Sequence, residues 1–161
     1  MNIKRKTVLS RCFTSLLAGI LASCLVMSAF ASLVTVEGTK YNFTVGSKRY
    51  ENFALLQKTE ASGITALHTT ARINSLDGIC PAMQLGEMAM ILKQTSTGGY
   101  TLFETSEWNY NENPSVAVIG LATKADPPAG YYIGQGRSAI YVNGDYERPY
   151  TYGTPLIQVK Y

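Results

Sequence analysis

Residues Gly86 to Tyr110 read GEMAMILKQTSTGGYTLFETSEWNY, two apolar-rich arms flanking Ser96-Thr97-Gly98-Gly99. Glycine reaches positive φ without steric cost, so this cluster suits a tight reversal. The arms are long enough to be strands, and a chain with such a hairpin at its middle must find antiparallel partners on both sides. Met83 to Leu92 is also rich in helix formers. Gly86 weakens a helix there, and the Tyr100-Thr101-Leu102-Phe103 arm needs a strand to pair with.

Alternation continues on either side. Leu33 to Glu37 and Lys40 to Val45 alternate around a break at Glu37-Gly38, and read as a hairpin. Lys48 to Glu60 mixes helix formers with Tyr50 and Phe53 and takes the strand state of its neighbours. In Ile64 to Asn74, Thr65, Leu67, Thr69, Ala71 and Ile73 share one face, with Ile64, Ala66, His68, Thr70 and Arg72 on the other, as in a strand with one wet and one dry side. Asn109 to Pro114 reads as a polar loop, and Val116 to Thr123 as a strand buried on both faces. Lys124 to Gly130 reads as a surface loop. Asn143-Gly144 is a strong hairpin signal within a tyrosine-rich tail. Turn signals recur at about 8–12 residues, the spacing of a sandwich or barrel. The fold expected is all-β: one antiparallel β-sandwich or barrel-like domain over residues 32–161.

Residues 1–31 have the layout of a signal peptide. Lys4-Arg5-Lys6 and Arg11 precede an uncharged run from Cys12 to Ala31, which ends in Ala29-Phe30-Ala31. A basic segment held on the cytoplasmic side, an apolar one and a small-x-small site are what export requires. Cleavage is expected after Ala31, leaving Ser32 first. Two rivals compete: Leu21-Ala22-Ser23-Cys24 resembles a lipobox that would lipidate Cys24, and the run nears the ~20 residues that span a bilayer as an uncut anchor. Each of the three puts the β domain outside the cytoplasm, with membrane contact only through leader or lipid.

Four of the fourteen Lys and Arg lie in the leader, and none of the eleven acids do. Ten positive against eleven negative charges leave −1 on the remainder. The basic balance therefore belongs to the export signal, and nucleic-acid binding is excluded. Cys80 is alone beyond the leader, so neither an internal disulfide nor a cysteine metal site is expected.

Chemistry is sparse. His68 is the single histidine, and its neighbours Thr69, Thr70 and Ala71 supply no second ligand, so no metal and no cofactor are expected. A Cys80–His68 thiol pair lacks any feature that lowers the thiol pKa. Glu104 and Glu107, three apart, fall on opposite faces of a strand, which disfavours them with Glu112 as hydrolytic carboxylates. Gly134-Gln135-Gly136-Arg137-Ser138 lacks the lysine and spacing of a phosphate loop, and reads as a turn between strands. Trp108, Asn109, Tyr110 and Asn111 form the candidate ligand-binding group. Sugars stack on flat aromatic faces and asparagine amides bond hydroxyls, while a buried Trp108 in a solvated loop is the plainer alternative. Tyr146, Tyr150 and Tyr152 fall on no single face by alternation.

Leu85-Gly86, Met90-Ile91-Leu92, Ser106-Glu107-Trp108-Asn109-Tyr110, Gly130-Tyr131-Tyr132 and Gly153-Thr154-Pro155 together are similar in layout to small exported β-rich proteins of Gram-positive bacteria. That resemblance implies export and a β fold and carries over no functional residue. The expectation is a secreted or envelope-associated, non-enzymatic domain that binds cell-wall glycan or another envelope protein. A small secreted toxin or bacteriocin-like effector is the alternative, and a small secreted hydrolase comes third.

Overall fold

The computed structural model describes residues 32–160. The expected leader, its last residue Ala31 and Cys24 lie outside the described residues, and Ser32 is the first within them. The described chain is all β. Its strands are β1 (Ser32–Glu37), β2 (Tyr41–Val45), β3 (Lys48–Ala61), β4 (Ile64–Ser75), β5 (Leu85–Gln94), β6 (Tyr100–Thr105), β7 (Asn109–Tyr110), β8 (Ala117–Ala125), β9 (Gly130–Val142), β10 (Asp145–Glu147) and β11 (Ile157–Val159).

They form two antiparallel sheets that pack together. The first runs β1-β3-β4-β8, with β2 also on β3; the second runs β10-β9-β5-β6, with β11 on β9 and β7 on β5. β5 and β6 are the hairpin expected around Ser96 to Gly99, with a register shift at Ile91/Leu92. The Asn143-Gly144 turn between β9 and β10 has φ of 52° and 93°, the paired positive values that a two-residue turn needs to match strand twist.

Residues 33–45 do not form the expected hairpin. β3 is 14 residues long and takes both segments on one edge. β2 pairs from Tyr41↔Asn52 to Val45↔Lys48, and β1 from Glu37↔Leu55 to Ser32↔Glu60. Gly38 N donates to Ala54 O at 2.8 Å between them. β8 is likewise not buried on both faces. Val118, Gly120 and Ala122 point inward, whereas Ile119 and Leu121 are 40% and 66% exposed.

Gly134 to Ser138 is no turn but the middle of β9. A Cβ on Gly136 would lie 2.4 Å from Ala71 Cβ and 2.5 Å from Glu87 Oε1. Glycine here lets the sheets approach. Gly120 does the same for β8, where a Cβ would fall 2.8 Å from Ala89 N.

This close approach divides the interior. Leu56, Leu67, Ala89, Ile91, Tyr132, Ile157 and Val159 cluster at one end, and Val45, Tyr50, Ile73, Cys80, Leu85, Val118 and Ile140 at the other. Each large side chain among them contributes ~1.5–3 kcal/mol by leaving water. Between the clusters along β3, β5 and β9 lie Asn52, Glu87 and Ser138, all fully buried.

Candidate functional site

Inside the narrow middle, Ser138 Oγ donates to Glu87 Oε2 at 2.7 Å and accepts from Asn52 Nδ2 at 2.9 Å. Burial pushes the Glu87 carboxyl up to about 8, and the Ser138 hydrogen bond pulls against that shift. Glu87 is therefore protonated at neutral pH. Sequence reasoning passed over it, although Leu85, Glu87, Ala89 and Ile91 alternate on one face. That pattern was the available signal. The network is shut away from solvent, so its chemistry is that of a folded core.

The exposed chemistry lies on the opposite side of the same sheet. Because Leu85, Glu87, Ala89 and Ile91 face inward, Gly86 and Met88 face outward, opposite Ala139 and Arg137 of β9. β7 pairs Tyr110 with Gly86, and a Cβ on Gly86 would lie 2.6 Å from the Tyr110 ring. The missing side chain is the seat for the ring. Trp108 stacks beside Tyr110 with centroids 5.9 Å apart and planes 26° from parallel. Tyr110 meets Tyr146 at 5.3 Å, and Tyr146 meets its cross-strand partner Tyr141 at 5.2 Å. Four rings from three strands and one loop thus form a continuous run.

Arg148 flanks it, and Arg137 is joined to Arg148 through the Arg148 backbone carbonyl. Arg148 Cζ stands 6.0 Å from the Trp108 ring centre and 5.6 Å from that of Tyr146, while Arg137 Cζ lies 4.9 Å over Tyr150. Such cation–π contacts each supply about 0.5–1 kcal/mol when exposed. The Tyr146 hydroxyl donates to Met83 O. Its pKa is raised, chiefly by burial and then by Tyr110 and Tyr141, which keeps the donor proton in place.

The four candidate ligand-binding residues separate into two kinds. Trp108 and Tyr110 are half-buried members of the aromatic run, so Trp108 is no core plug. Asn109 is exposed and donates through Nδ2 to Ile119 O at 2.8 Å, tying β7 to β8 across the sheets. Asn111 is buried. Its Oδ1 accepts from Leu85 N at 2.8 Å, and its Nδ2 donates to Pro81 O at 2.6 Å and Asn113 O at 3.1 Å. It holds the loop that carries the face. The expected polar loop is therefore part strand and part buried anchor. Beside Trp108, a shallow groove of about 360 Å³ is lined by Ser106, Glu107, Trp108, Asn109, Ile119 and Leu121.

The other candidates are scattered. His68 sits half-buried on the outer face of β4, with Nδ1 3.0 Å from Thr123 Oγ1 and Nε2 3.4 Å from Thr59 Oγ1. Cys80 is buried in the second apolar cluster. Glu104 pairs with Lys124 at 3.1 Å, a contact that lowers its pKa, and Glu107 and Glu112 are exposed. Among the described residues no group of three or more His, Cys, Asp or Glu is placed to hold a metal ion. No family model matches this sequence, and neither curated proteins nor solved structures include a match to it.

Proposed function

We propose that the β domain is an extracytoplasmic, non-enzymatic binding module, a two-layer sandwich that grips glycan on the outer face of its second sheet. The observation that carries this reading is the unbroken run of Trp108, Tyr110, Tyr146 and Tyr141 over a rigid sheet. Sugar rings present C–H faces that stack on such surfaces, and the edges of tyrosine and asparagine bond their hydroxyls. Exposed Asn109 has its Oδ1 unpartnered among the described residues, and the groove beside Trp108 supplies an apolar wall. Location outside the cytoplasm is supported by the basic–apolar–small pattern of residues 1–31.

The test is pull-down on insoluble peptidoglycan. Retention is expected for the unaltered protein and is expected to fall at least tenfold for Trp108→Ala and for Tyr146→Ala, with unchanged circular dichroism. Failure of the unaltered protein to be retained, or retention that ignores both substitutions, overturns the reading. Mass spectrometry of exported material should find Ser32 at the N-terminus. A diacylglyceryl adduct on Cys24 would instead establish lipid anchoring.

A further inference from the structure

We infer that the glycan held on this face is anionic, bearing carboxylate or phosphate groups that Arg148 and Arg137 read while the aromatic run holds the sugar rings. The inference rests on the glycan reading above and specifies its ligand. Four arginines occur in residues 32–160, and the other two are occupied by polar partners. Arg49 forms an ion pair with Asp77 at 2.7 Å, and Arg72 Nε donates to Asn74 Oδ1 at 2.7 Å. Arg148 is exposed, and among the described residues it donates no hydrogen bond and faces no carboxylate in an ion pair. Among the described residues Arg137 uses only Nε, which lies 3.5 Å from Arg148 O.

Stacking engages the flat face of a guanidinium and leaves its in-plane N–H edge available. That edge matches two oxygens of a carboxylate or phosphate. Arg148 lies beside Trp108 and Tyr146, while Arg137 lies over Tyr150 and reaches the Arg148 backbone carbonyl, so a charge on one sugar unit is met while its neighbour stacks. Acids nearby do not cancel them. In β10, Asp145 and Glu147 alternate away from Tyr146, and Asp145 Oδ1 accepts from Tyr146 N at 2.7 Å. Glu107 lines the groove on the Ile119 and Leu121 side of Trp108.

Affinity electrophoresis through polygalacturonate, its fully methyl-esterified form and phosphomannan tests the inference. Polygalacturonate or phosphomannan should retard the protein at least tenfold more strongly than the ester, and whichever binds tighter identifies the anion. The double substitution Arg137→Gln and Arg148→Gln should abolish that difference with an unchanged melting temperature, whereas Arg148→Lys should retain part of it. Trp108→Ala should weaken binding to all three polymers. Equal retardation by the ester and polygalacturonate, with none preferred for phosphomannan, overturns the anionic assignment and leaves the glycan reading standing. Absence of retardation by all three also overturns the anionic assignment, and retention on peptidoglycan then decides the glycan reading by itself.

Discussion

Ser138 donates its hydroxyl proton to Glu87 at 2.7 Å in the buried space between the two sheets. The same hydroxyl accepts from Asn52, so one residue from each of β3, β5 and β9 meets at a point with apolar clusters on either side. Glu87 Oε1 and Asn52 Oδ1 have no hydrogen-bond partner among the described residues. A buried polar group left so is costly, and a buried charge more so.

Stability should therefore fall as pH rises. Glu87 moves from an ordinary value of 4.5 to about 8 on folding, so the folded state holds a proton that the unfolded state releases. Its contribution is fully present below pH 4.5 and is lost progressively until pH passes 8. At about 1.4 kcal/mol per pH unit, the loss across that window is on the order of 5 kcal/mol. Glu87→Gln keeps an acceptor for Ser138 and cannot ionise. Urea denaturation at pH 4, 6 and 8 should show the variant gaining on the unaltered protein at each step. A difference independent of pH would count against this assignment.

Gly136→Ala should destabilise the fold by about 3 kcal/mol or more, since the added methyl meets Ala71 Cβ at 2.4 Å and the sheets would have to separate. Gly99→Ala is the control, because its Cβ would find only Thr95 Oγ1 at 3.5 Å and its φ is not in the left-handed region. Denaturant midpoints that shift alike for both would refute the close-approach account.

Asn111→Ala should cost about 2–4 kcal/mol, because it strands the Leu85 N–H and frees the carbonyls of Pro81 and Asn113 together. Hydrogen exchange should show the amide of Leu85 losing protection first. Normal stability in this variant would mean that the loop is held by other contacts.

Much of the architecture was legible in local pattern. The Ser96 to Gly99 and Asn143-Gly144 reversals could be read because turn chemistry is decided by a few adjacent residues. The alternation from Ile64 to Asn74 marked a strand with one dry face, since that depends only on the pleat. Val116 to Thr123 misled because an apolar run has the same composition whether both faces are covered or Ile119 and Leu121 remain outside. Gly134 and Gly136 misled for a related reason. Glycine marks a turn and a close approach of two backbones equally well, and only the opposing Ala71 and Glu87 distinguish them.

The sequence by itself determined that this chain makes antiparallel β structure and where two of its reversals fall, at Ser96 to Gly99 and Asn143-Gly144, because these follow from φ preferences and two-residue periodicity. Tertiary structure alone decided that β1 and β2 share one edge of β3, that Glu87 is sealed between the sheets, and that Trp108 and Tyr110 meet Tyr146, Tyr141 and Arg148. Those residues lie up to 40 positions apart from Trp108 to Arg148, and their meeting depends on strand order and register, which no local pattern encodes.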